Sequence, residues 1–301
     1  MTIAELHGKL SADRPGVVHE RLEDLLTSDV FGTMKYAGWE YGFLDWVLKA
    51  EPAPVEPHPS PISTYFRSAK IIQITYSFWP TLKNNRVPDL ALLFSFDSGD
   101  FLLILIEAKY FSGTSDWKVD EETNPYRLTG NQIADEVLGL YEMSREDLLK
   151  WFQLPEATPC MNVKGKLHRI HLFITMHTIL PVQDYDYSKK HLPEPWPINV
   201  YWLSWASLAE CLKDHLGRVD MGRAALLGDL YDLLQRKGLV PFRGFKMALW
   251  PACQEKQSFW YDSWWFLDTL QIKEYRPFWH QFLFQIKPIG TLPNGSFWGR
   301  R

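Results

Sequence analysis

Two apolar runs separated by a four-residue turn signal constrain the fold of this 301-residue chain more than any other feature. Val87 to Phe96 ends at Asp97-Ser98-Gly99-Asp100, and Phe101 to Tyr110 follows at once. Both runs have strand length, and Asp, Ser and Gly clustered between them favour a reversal of the chain. The pair reads as an antiparallel hairpin. Phe101 to Ile106 is apolar at odd and even positions alike, so this strand needs cover on both faces and belongs inside a sheet.

The remaining elements supply that cover. Val18, Leu22, Leu25 and Leu26 have helical spacing over 17–31, and a second apolar segment spans 41–48. The proline-rich stretch Glu51 to Pro61 can be neither helix nor central strand, and reads as an extended loop. Ile71 to Phe78 is a further strand, rich in β-branched and aromatic residues. Asn131 is placed to cap a helix carrying Ile133, Val137, Leu140 and Tyr141. Strands are expected at 170–175 and 198–203, then helices at 208–216 and 224–235, the last ended by Gly238. A hairpin combined with a helical crossover predicts a mixed central sheet flanked by helices, an α/β fold.

The chemistry lies at one rim of that sheet. Side chains alternate along a strand, so Phe101, Leu103, Leu105, Glu107 and Lys109 share a face. Pairing around the turn brings Asp89, near the start of the preceding strand, beside the end of this one. Two acids and an amine therefore converge next to apolar strand interiors, where charges are costly unless they pair or hold a cation. Oxygen donors suit Mg²⁺ or Mn²⁺, and Lys109 adds a positive group for a metal-activated water or a phosphate. The alternative is an edge salt bridge between Lys109 and the acids.

Pro88-Asp89, seventeen residues, then Glu107-Ala108-Lys109 resembles the signature of the PD-(D/E)XK, or restriction-endonuclease-like, nucleases. The resemblance covers roughly 17–216 and implies a restriction-endonuclease-like core. It implies that Asp89, Glu107 and the backbone carbonyl of Ala108 bind Mg²⁺, and that Lys109 positions the attacking water. The products would carry 5′-phosphate and 3′-hydroxyl ends. Many such nucleases add an acid from the first helix. Glu20, Glu23 and Asp24 compete here, and Glu23 is preferred because it lies nearer the border of the apolar face. RecB-like relatives carry Gln-xxx-Tyr on the helix after the Glu-x-Lys strand; Gln132 matches, whereas Glu136 stands in place of tyrosine. The stretches Glu23-Asp24-Leu25-Leu26-Thr27, Trp202-Leu203-Ser204-Trp205 and Leu233 to Phe245 also look somewhat like nuclease subunits of bacterial anti-phage defence.

Composition limits the partners. A net charge of -4 counts against indiscriminate DNA binding, although Lys164, Lys166 and Arg169, and separately Arg236, Lys237, Arg243 and Lys246, form local basic patches. His168 and His171 fall on opposite strand faces, a poor arrangement for chelation, whereas His177 could face the cleft. Three scattered cysteines, Cys160, Cys211 and Cys253, support neither a zinc knuckle nor a disulfide framework. With no Walker A sequence, any ATP-driven step needs a partner such as an ATPase subunit; a homo-oligomer is the other expected assembly. No run approaches a membrane span and no apolar leader is evident, which points to the cytoplasm. The expected division is a nuclease-like domain over 1–216 and an extension over 217–301, rich in Trp, packed on the core or serving as a partner interface. The expected substrate is DNA, with RNA as the alternative. A non-catalytic binding subunit on the same scaffold is the competing reading.

Overall fold

The computed structural model describes residues 18–67, 69–110, 128–152 and 165–240. In chain order the elements are α1 (Val18–Ala37), α2 (Phe43–Val47), β1 (Glu51–Pro52), a 3-10 turn (Ile62–Tyr65), β2 (Ile71–Phe78), β3 (Leu90–Phe96) and β4 (Phe101–Ala108). These are followed by α3 (Gln132–Tyr141), α4 (Arg145–Trp151), β5 (Leu167–Thr175), α5 (Val182–Ser188), β6 (Asn199–Ser204), α6 (Trp205–Leu216) and α7 (Met221–Arg236). The strands form one six-stranded sheet in the order β1-β6-β5-β4-β3-β2. β2, β3 and β4 are antiparallel neighbours, β4, β5 and β6 run parallel, and β1 closes the far edge antiparallel to β6. The fold is α/β with a mixed sheet, as the hairpin and the crossover require.

Every residue of β3 and β4 is buried. Even-numbered positions Leu90, Leu92, Leu102, Ile104 and Ile106 pack in one layer with Leu26, Val30, Phe31 and Met34 of α1, Trp46 of α2, Trp205 and Leu208 of α6, and Leu227 and Leu230 of α7. Odd-numbered positions Ala91, Leu93, Leu103 and Leu105 pack in the opposite layer with Ile133, Val137 and Leu140 of α3 and Tyr185 of α5. Water is thereby excluded from both faces of the central strands, and any charge at their ends sits against a dry interior. At the hairpin, Gly99 adopts φ 84° and its amide donates to the Phe96 carbonyl at 3.0 Å, a backbone conformation that glycine takes without strain.

Local chemistry places the helices. Asn131 Oδ1 accepts from the Ala134 amide at 2.9 Å, so α3 starts where its cap predicts. Ser204 and Asp220 cap α6 and α7 in the same way. Gly238, at φ 71°, follows the end of α7. The proline-rich stretch contributes only β1, at the sheet's edge, where proline is tolerated.

The chain divides into two units, Met1–Phe242 and Arg243–Arg301. α7 belongs with the first unit because Leu227, Leu230 and Leu234 of its buried stripe pack in the layer that holds α1 and α6. The Trp-rich unit from Arg243 to Arg301 lies outside the described residues, as do Lys164, Cys160 and Cys253. Among the described residues no helix is long and apolar enough to cross a membrane.

Candidate active site

Asp89 follows Pro88 at the entry to β3, and the register that pairs Leu90 with Ile106 carries on to set Asp89 opposite Glu107. Directly opposed residues of an antiparallel pair share a face. Their parity is that of Leu93 and Leu105, so both acids belong to the α3 side of the sheet. The ladder is locally remade here. The Asp89 amide donates to Ile106 O at 3.1 Å, while Asp89 Oδ2, a side-chain atom, accepts from the Ala108 amide at 2.8 Å. The carboxylate thus completes the strand's hydrogen bonding at the point where the chemistry begins.

Lys109 is held from both sides just beyond β4. Its amide donates to Ile174 O at 2.7 Å and its carbonyl accepts from Trp205 Nε1 at 3.2 Å. Its ammonium lies 2.7 Å from Glu107 Oε1 and 3.1 Å from Glu23 Oε1. Glu23 Oε2 in turn accepts from the Tyr110 amide at 3.0 Å. Asp89, Glu107 and Lys109 are 7%, 3% and 7% exposed. Of the first-helix acids, Glu23 is the one that meets Lys109 and the Tyr110 amide in the described structure. Glu20 falls on α1 at a position whose side chain lies outside the described residues, and Asp24 is not among the groups bonded to Lys109.

On the α3 side, Gln132 Nε2 donates to Glu107 Oε1 and also to Glu136 Oε1, the latter at 3.1 Å. Glu136 Oε2 lies 2.9 Å from His171 Nε2. The i, i+4 spacing sets Gln132 and Glu136 on one helix face. β5 runs parallel to β4 with His171 beside Leu105, which brings the imidazole onto the same side. Asp135, one residue earlier on α3, lies 3.7 Å from the Arg86 guanidinium.

The electrostatics follow from burial. Desolvation raises the Asp89 carboxyl well above the usual range, and Glu107 adds repulsion that Lys109 only partly offsets. Glu107 is pushed up to about 8 by burial and then by Glu136, and Glu136 to about 7 by burial. Burial alone would depress the Lys109 ammonium, but Glu107, Glu23 and Asp89 outweigh it and raise it above its ordinary value. Burial holds His171 down at about 4, so its ring is neutral near pH 7.

These directions set a pH dependence for the metal-free protein. Glu107 and Glu136 keep protons in the folded state up to about 8 and 7, but lose them near 4.5 when unfolded. The native state therefore binds more protons across that window, and stability falls as pH rises through it. His171 acts oppositely: its folded value near 4 lies below its unfolded 6.5, so its contribution is lost as pH falls from 6.5. The steepest decline is expected between 6.5 and 7, where the histidine no longer compensates. Urea unfolding in EDTA across pH 5 to 9 measures this; stability flat or rising from 6.5 to 8 would contradict the buried protonated acids.

Other candidates are placed plainly. His177 lies two residues past β5; its amide donates to Thr175 Oγ1 at 3.3 Å and its carbonyl accepts from Ser204 Oγ at 2.6 Å. Lys166 and Arg169 sit at the opposite end of the sheet, since Leu167 pairs with Phe101 and Phe173 with Glu107. Seven residues of strand put Lys166 about 23 Å from Phe173, the neighbour of Glu107, and four put Arg169, which pairs with Leu103, about 13 Å from it. Lys237, at the end of α7, is closer: its carbonyl accepts from Tyr110 Oη at 2.7 Å and its ammonium lies 5.0 Å from that ring's centroid. Arg243 and Lys246 lie outside the described residues.

Arg86, Asp135 and His171 were not anticipated as neighbours of the site, and Glu136 was noted only as a departure from tyrosine. The Gln132/Glu136 spacing was a usable signal for Glu136. His171 had none, because the β4–β5 register is not written in either strand.

The donors suit a hard divalent cation in kind. Acids outnumber bases around Glu107, with Asp89, Glu23 and Glu136 against Lys109 and Arg86, and the acids offer oxygen. Among the described residues no three His, Cys, Asp or Glu side chains form a ready metal-ligand group. Asp89 and Glu107 are two carboxylates, and Mg²⁺ characteristically keeps several waters beside one or two carboxylates. No protein-family model matches this chain, and neither a curated protein nor a solved structure matches it.

Proposed function

We propose that this chain is a Mg²⁺- or Mn²⁺-dependent nuclease with a restriction-endonuclease-like core, which hydrolyses DNA phosphodiester bonds within a larger assembly such as a defence or DNA-processing complex. The observation that carries the reading is the convergence of Asp89, Glu107, Lys109 and Glu23 at the end of two fully buried strands. Perturbed charges gathered on a rigid scaffold favour a functional site over a structural one.

Asp89, Glu107 and the Ala108 carbonyl would hold the cation. When bound, it would polarise a phosphoryl oxygen and acidify a water. The protein's own groups supply the rest. Lys109, kept protonated by three acids, serves as a hydrogen-bond donor and not as a base. Two of its N–H groups point at Glu107 and Glu23, which leaves the third for a water or a phosphate oxygen. Glu23 ties α1 to the strand end and fixes the ammonium. In hydrolysis the water oxygen bonds to phosphorus, the P–O3′ bond breaks and the leaving oxygen takes a proton, giving 5′-phosphate and 3′-hydroxyl ends. The chain's lack of a phosphate loop suits an ATPase subunit or a second copy as partner.

The test is cleavage of labelled single- and double-stranded DNA and RNA of one sequence, with Mg²⁺ or with EDTA. DNA is expected to be cut into fragments with ligatable 5′-phosphates, and Lys109→Ala is expected to lower kcat about 10²- to 10³-fold. Equal cutting by wild type, Asp89→Ala and Lys109→Ala removes the assignment; preference for RNA moves it to ribonuclease. The low exposure of the trio also favours a second reading, a structural ion network on a non-catalytic scaffold. In that case Mg²⁺ leaves the melting temperature unchanged.

A further inference from the structure

Behind Glu107 runs a buried chain of polar groups that the hydrolysis above does not use. Gln132 Nε2 donates to Glu107 Oε1 and Glu136 Oε1, and Glu136 Oε2 meets His171 Nε2. All four side chains are buried. We propose that Glu136 and His171 are positioning residues, which lock the Gln132 amide so that its NH₂ faces Glu107 and holds that carboxylate in a single orientation toward the cation. The inference rests on the nuclease reading and extends it to two residues.

Hydrogen-bond accounting fixes the direction of the chain. A glutamine amide can present either oxygen or nitrogen, and two carboxylate oxygens accepting at once select the nitrogen. Among the described residues, His171 Nδ1 is buried with no hydrogen-bond partner. An orphaned N–H is the rarer and costlier state, so the ring carries its proton on Nε2 and donates to Glu136. In its ionised form Glu136 is thus an acceptor at both oxygens, and its oxygen facing Gln132 cannot turn away without breaking the bond to His171. The arrangement has the form of an outer shell that orients a ligand through a fixed hydrogen bond.

The experiment compares wild type, Glu136→Gln and Glu136→Leu by Mg²⁺-induced thermal shift, by kcat and KM on DNA, and by ¹⁵N spectra of labelled histidine. Glutamine keeps an acceptor for Gln132 but removes the charge and turns its NH₂ toward His171 Nε2, which must then accept; leucine keeps the bulk and removes both partners. Positioning predicts that Glu136→Leu loses about 10- to 100-fold in Mg²⁺ affinity or kcat. KM for DNA is expected to stay unchanged, and Glu136→Gln to remain within a few-fold of wild type. Leucine in place of a buried acid need not destabilise the fold, so loss of metal response without loss of melting temperature separates positioning from simple support. His171 is expected as the Nε2–H tautomer at pH 7.

Equal losses in both variants would mean that Glu136 acts through its charge, and overturn the proposal. So would unchanged metal response in Glu136→Leu, or a histidine protonated at Nδ1. Wild type that neither binds Mg²⁺ nor cuts would overturn the nuclease reading and this inference together. Wild type that does both, with indifferent variants, overturns this inference alone.

Discussion

Lys109→Met is expected to destabilise the metal-free protein strongly at pH 9 and far less at pH 6, while lowering kcat at both. The ammonium is the cation in direct contact with Glu107 and Glu23, at 2.7 and 3.1 Å, and all three sit against the apolar ends of β3 and β4. Removing one partner of a buried ion pair strands the other, at a cost of about 3–5 kcal/mol. Glu107 has an escape, because its carboxyl already titrates near 8 with Lys109 in place. Without the lysine it rises further and stays neutral at pH 6, so little charge is stranded there. At pH 9 no such relief is complete. Lys109 itself adds no pH dependence across this window: its folded value is raised, so its contribution is fully present below about 10.4. Urea unfolding of both proteins at the two pH values measures the difference. A loss independent of pH would mean that the methionine merely packs badly.

How far this site could be read from the chain depends on which interactions are local. The hairpin is local: four turn residues and two apolar runs specify it, and the parity of Leu103, Leu105, Glu107 and Lys109 follows from strand geometry alone. Asp89 opposite Glu107 then needs only a count around the turn. Asn131 as a cap and Gly238 as a stop are likewise one-residue signals. Glu23 was distinguishable from Glu20 because a helix has one buried face.

What stayed hidden is non-local or weakly patterned. His171 reaches Glu136 through the β4–β5 register, which depends on how a helical crossover packs and not on either strand's sequence. Glu136, which shares its helix face with Gln132, reads in sequence as a departure from a motif, although it is bonded to the residue that fits that motif. α5 has too few apolar residues to announce itself, and β1 is two residues at the end of a proline-rich run. The resemblance to the nuclease family ends near residue 216, so it carries no sign that Leu227, Leu230 and Leu234 of α7 finish the layer over α1.

Asp89→Asn is expected to invert the protein's response to Mg²⁺: more stable than wild type in EDTA, less stable at saturating metal. In the metal-free protein the Asp89 carboxylate is a liability. Burial and the neighbouring Glu107 raise it well above the ordinary range, so the folded state opposes its ionisation. The sign follows: from about pH 3.9 upward the unfolded chain ionises this group first, and stability declines as pH rises toward the raised folded value. An asparagine carries no charge, keeps the shape and offers an amide oxygen to the Ala108 N–H that Asp89 Oδ2 now accepts at 2.8 Å. Its advantage therefore grows from pH 5 to pH 8. With metal the order reverses. A ligand that binds only the native state adds about 2.7 kcal/mol at one hundred times its dissociation constant. The variant, missing an anionic ligand, gains little. Stability sacrificed in the empty site and recovered on loading is the pattern of a functional centre. Melting curves of both proteins in EDTA and across a Mg²⁺ titration decide it: if asparagine is destabilising without metal, Asp89 is a structural partner of Lys109 and the cation has no part in its placement.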